Sequence, residues 1–74
     1  MKRILMLLAN GVEPLEMSAI TDVMGWATIL GDEAIELTDV ALHPEIKTTF
    51  GLTLKPSKLL QDIDLDDYDA IAIP

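Results

Sequence analysis

Three observations predict an open, parallel α/β sheet. Ile4–Leu8 is an unbroken apolar run bounded by charge and turn residues, the pattern of a strand buried on both faces. A segment of helical periodicity follows it across a short loop. A second short apolar run, Ala70–Ile73, comes after a stretch of mixed composition.

The elements follow in order. Asn10-Gly11 would make a hairpin turn if an alternating strand came next, but Pro14 and helical spacing come instead, so the pair belongs to a βα loop. From Leu15 to about Leu30 the residues Ile20, Val23, Met24, Ala27 and Leu30 recur at three- and four-residue steps, with Glu16 and Asp22 off the stripe. Gly31 supplies a C′ residue to stop this helix, and Asp32-Glu33 the exit turn. Ala34–Leu42 alternates in part and reads as a second strand, more exposed than the first, broken by His43-Pro44-Glu45. Ile46–Phe50 and Leu52–Lys55 flank Gly51 as a short hairpin. Ser57 is placed to cap one helical turn through Leu59-Leu60, and Asp62–Asp67 forms an acidic loop before the final strand. The order predicts a first strand flanked by the second and by Ala70–Ile73, all parallel. With one substantial helix, one face of that sheet is expected to be bare, covered by residues or a chain beyond these 74.

Composition narrows the function. Half of the 74 residues are apolar, and 13 acids against 5 bases give a net charge of −8. Phosphate neutralisation needs clustered Lys and Arg, so nucleic acid is not an expected partner. The apolar run after Met1-Lys2-Arg3 is five residues long, short of the ~7–15 of a signal peptide and the ~20 of a membrane span; a cytoplasmic protein away from membranes is expected. Without cysteine there is neither a disulfide nor a thiolate ligand, and 1–74 is read as part of a single α/β domain.

Two acids stand at the helix start, Glu13 and Glu16, where an open α/β sheet places its ligand crevice. The helix dipole alone accounts for an acid there, at about 0.3–1 kcal/mol, and Glu13 serves equally as a cap. The Asn10-Gly11 loop has no phosphate-binding glycine pattern, and the two acids would repel a phosphate. Asp62, Asp64 and Asp66 alternate as calcium-loop ligands do, but Asp67 and Ile73 stand where that loop needs Gly and Glu. His43 has no partner histidine or cysteine and reads as a surface turn residue, so no metal or other cofactor is expected. Met17 and Trp26, both off the stripe, are the residues expected to face another chain.

RILMLLANGVEPLEMSAITDVMGWATILG together with YDAIAIP resembles the amino-terminal half of the ThiJ/PfpI family, within the glutamine-amidotransferase-like α/β proteins that include glyoxalase-III-type and deglycase-type enzymes and Pfp-type intracellular proteases. The most specific element is G-x-E-x-x-E, formed by Gly11, Glu13 and Glu16. The resemblance implies a partial flavodoxin-like sheet. It implies a catalytic role for Glu16, as a protonated acid bonded to a reactive cysteine on a nucleophile elbow, with Gly11 and Glu13 in the substrate pocket. That cysteine, and the glycines expected after Pro74 as oxyanion donors, are not in this sequence. The expected function is therefore the front part of a cysteine-dependent hydrolase or lyase acting on a small molecule or peptide. A complementary carboxy-terminal chain would complete it, and the assembled protein is expected to be a homodimer with Met17 and the Ile46–Lys55 hairpin near the partner. The enzyme is the complete protein, not this part alone. A non-catalytic, chaperone-like stress-protective module is the alternative. A receiver-type signalling domain fits less well, because Ala9-Asn10-Gly11 stands where paired acids belong.

Overall fold

The computed structural model describes all 74 residues. Strand β1 (Lys2–Leu7) leads into helix α1 (Pro14–Leu30) and strand β2 (Ile35–Ala41). Strands β3 (Ile46–Lys47) and β4 (Thr53–Leu54) form an antiparallel hairpin. Strand β5 (Lys58–Leu59), two 3-10 turns and strand β6 (Ala70–Ala72) follow. The main sheet has the order β5-β2-β1-β6 with every pair parallel, so β1 is interior, between β2 and β6, as its apolar run predicts.

Helix α1 lies on one face. Met6, Leu8, Val12, Ala41 and Ile46 form the buried cluster under it, with Met17 and Ile20 packed against them. This corrects the reading of Met17: with Ile20, Met24 and Ala27 it lies on the half-buried side of the helix, whereas Val23 and Leu30, expected in the stripe, are exposed. The helix is apolar on two sides, so spacing alone could not tell which side the sheet would take. No helix residue is fully buried.

The opposite face is not bare. Side chains alternate along a strand, so Leu5 points away from the Met6 and Leu8 side, and Val40 away from Ala41. Both are essentially inaccessible, at 1% and 0% exposure. The chain from Leu60 to Asp69 runs from β5 at one edge of the sheet to β6 at the other. A right-handed crossover in that direction must pass over the face that α1 leaves open, and Leu60, Ile63 and Tyr68 are half-buried along it. Arg3 ties this crossover down: its N–H donates to Asp69 Oδ2 at 2.8 Å, its carbonyl accepts from Asp69 N at 2.7 Å, and its guanidinium lies 4.9 Å from the Tyr68 ring centre.

Two local expectations are corrected. Ser57 caps no helical turn; its N–H and Oγ–H donate to the Asp39 carboxylate at 2.8 and 2.5 Å, which holds Lys58–Leu59 beside β2 as a strand. Strand β2 therefore has neighbours on both sides and is no more exposed than β1. Gly31 ends α1 as expected, in an extended conformation (φ −91°). Its N–H donates to Ala27 O at 2.8 Å, and a Cβ there would sit 2.5 Å from that oxygen, so close approach is what requires glycine. No helix is long and apolar enough to cross a membrane.

Candidate functional site

The site is built where β1 gives way to α1. Val12 N donates to Ala9 O at 3.1 Å, closing a turn whose third residue, Gly11, has φ +91°, the sign a type II turn requires there. Glycine takes that conformation without the strain a side chain would bring. Glu13 is the N-cap: its backbone is extended, and its carboxylate accepts from Leu15 N at a long 3.4 Å. Pro14, which has no N–H to satisfy, occupies the first helical position.

Glu16 stands in the first turn of α1. It is exposed and its carboxylate makes no hydrogen bond or ion pair within the chain. The two acids of the motif are thus separated in role. Glu13 is engaged in starting the helix, whereas Glu16 is free to meet a group from outside these residues.

The loop is also held from a distance. Asn10 Oδ1 accepts from Lys47 N at 2.9 Å, and Gly11 N donates to Lys47 O at 2.7 Å. Thr49 Oγ1 lies 3.0 Å from Gly11 O and 3.1 Å from Val12 O, and Thr49 N donates to Val12 O at 3.0 Å. The sequence marks Asn10 only as a turn residue and carries no signal at Thr49. No local signal in the sequence connects positions so far apart.

A hollow of about 160 Å³ opens at the carboxyl ends of β1 and β2, lined by Leu7, Ala9, Asn10, Leu42, His43 and their neighbours. Gly11, Glu13 and Glu16 do not line it. His43 is an exposed residue of the turn after β2, as its lone position suggested, and borders this hollow. The largest depression, about 420 Å³ around Pro44 and Lys55–Leu59, lies at the β5 edge and contains no residue of the motif.

No protein-family model and no curated sequence relative matches the chain. Solved structures do. DJ-1 of Toxoplasma gondii, in its oxidized form, superimposes with a TM-score of 0.81 at 24% identity, over 100% of this chain and 38% of its own. The chain shares the fold of the corresponding part of that structure. A DJ-1 superfamily protein of Agrobacterium tumefaciens matches with a TM-score of 0.70 at 23% identity, over 100% of this chain and 37% of its own. The VC2308 protein gives a TM-score of 0.73 at 26% identity, over 99% and 35%. The chain thus spans little more than a third of the length of these DJ-1-type structures, and the resemblance read from the sequence holds at the level of the fold.

Proposed function

We propose that this chain is the amino-terminal part of a cysteine-dependent hydrolase or lyase of the ThiJ/PfpI type, with Glu16 as the acid beside a cysteine thiol supplied by the rest of the protein. One observation carries the reading: of two carboxylates on adjoining turns, Glu13 is used by the helix start and Glu16 is left free. The DJ-1-type fold supports it, because α1 then begins where an open sheet keeps its ligands. A donor beside a thiol favours the thiolate, the nucleophilic form. The thiolate would attack the electrophilic carbon of a carbonyl adduct, amide or peptide, while the acid holds the thiol in place. Gly11 and Glu13 belong to the same pocket in this proposal, shaping its wall through the turn and the cap.

The test is the alkylation rate of that cysteine in the complete protein. Glu16→Gln retains a hydrogen-bond donor and most of the reactivity, whereas Glu16→Leu, followed over pH 5–9, slows iodoacetamide alkylation by about tenfold on the acid side of the thiol titration and moves the rise in rate to higher pH, the effect of losing one charge-assisted hydrogen bond. Equal rates for the wild type and Glu16→Leu would reduce Glu16 to a helix-start acid.

A further inference from the structure

We infer that Thr49 is a positioning residue that sets the aim of Glu16, acting through the Gly11–Val12 backbone with Asn10 in support; the functional part of this inference rests on the role proposed above for Glu16. The packing of α1 leaves its starting direction weakly determined. Every helix residue that meets the sheet is only half-buried, and the N-cap bond of Glu13 is long. The loop before the helix, in contrast, is held at three successive residues by the Lys47–Thr49 arm of the hairpin.

Val12 is buried and bridged to Thr48, itself 5% exposed. The next residue, Thr49, presents both its N–H and its hydroxyl to the carbonyls of Gly11 and Val12, the last two residues before the helix cap. Asn10 and Gly11 bond the same arm of the hairpin two residues earlier, through Lys47 N and O. The single hydroxyl proton of Thr49 is shared between Gly11 O and Val12 O, and Val12 O also accepts from Thr49 N, so one residue holds both carbonyls. Glu13 follows immediately, so the hairpin orients the first helical turn and with it the Glu16 carboxylate. Thr49 touches neither a substrate nor a reacting atom; its effect on chemistry is indirect.

The hydroxyl can be removed with little change of shape by Thr49→Val and restored in smaller form by Thr49→Ser. In the complete protein, amide hydrogen exchange and cysteine alkylation are followed together. The expected result is about tenfold faster exchange at Gly11 and Met17 in Thr49→Val, with Leu5 and Val40 unchanged, and with alkylation slowed. Thr49→Ser restores both. Uniform acceleration at all four amides, or at none, overturns the inference. Alkylation that falls in Glu16→Leu but not in Thr49→Val also overturns it. The local exchange pattern with alkylation indifferent to both substitutions refutes the role proposed for Glu16, while the positioning of the loop by Thr49 stands.

Discussion

Gly11 shows how one residue can be required for backbone reasons alone. A Cβ added there would meet nothing within 4 Å, yet φ is +91°. Gly11→Ala is therefore expected to cost about 1–2 kcal/mol from conformation, with no contribution from clash. A urea titration of the complete protein checks this; an unchanged midpoint would mean that the turn relaxes into another form. Asp69 makes the opposite case, a charged side chain with a directional task. Its carboxylate accepts from Arg3 N, and its own N–H donates to Arg3 O, immediately before the pairing of Ile4 with Ala70 begins. Asp69→Ala should cost about 1 kcal/mol by the same titration. Arg3→Met should cost less, because the guanidinium contacts to Glu36 at 3.4 Å, Asp67 O at 3.2 Å and the Tyr68 ring are all substantially exposed, and such contacts contribute little. A larger loss for Arg3→Met would assign the anchoring to the guanidinium instead.

At the scale of elements, α1 carries two apolar sides and the sheet uses one. Leu15 (79% exposed), Trp26 (59%) and Leu30 lie on the other, and Phe50 at the hairpin tip is 91% exposed. Exposed apolar area of this kind marks association surfaces, and we propose that the complete protein is a homodimer that uses the helix start and the hairpin. Leu15 is exposed at the helix start, whereas Met17 packs against the core. The double substitution Leu15→Gln with Phe50→Ser is expected to halve the sedimenting mass at micromolar concentration while changing monomer stability by less than about 0.5 kcal/mol per site. A monomeric wild type, or a variant that sediments unchanged, would remove this surface from consideration.

The whole molecule is thin, with extents of 37 × 26 × 15 Å and a Cα radius of gyration of 12.5 Å. A closed domain of this length would have a radius near 11 Å. Nine of its 74 residues are buried, too small a core to offset the entropy of ordering the chain without further burial. Strand β6 ends the sheet with Ile71 and Ile73 largely exposed, although its apolar sequence suits a covered strand. We therefore propose that residues 1–74 are one part of a single α/β domain whose other elements cover this edge. The isolated 74-residue chain is expected to lose its far-UV circular dichroism gradually in urea; a steep two-state transition of a monomer would show that it folds alone.

By itself the sequence determined the class of fold, the interior place of β1, the hairpin and the helix that starts at Pro14. Those features rest on local physics: continuous apolarity, periodicity, and the backbone preferences of glycine and proline. Glu13 and Glu16 were legible as a pair because they fall beside the turn that carries them. What tertiary structure decided was which side of an evenly apolar helix is covered, that Ser57 bonds Asp39 and so makes a strand where a capped turn was expected, and that the Leu60–Asp69 crossover covers Leu5 and Val40. It also left Glu16 without a partner and brought Thr49 onto the loop between the two acids and β1. The bonds of Ser57, Thr49 and Asp69 join partners 18 to 66 residues apart, which no short-range pattern encodes.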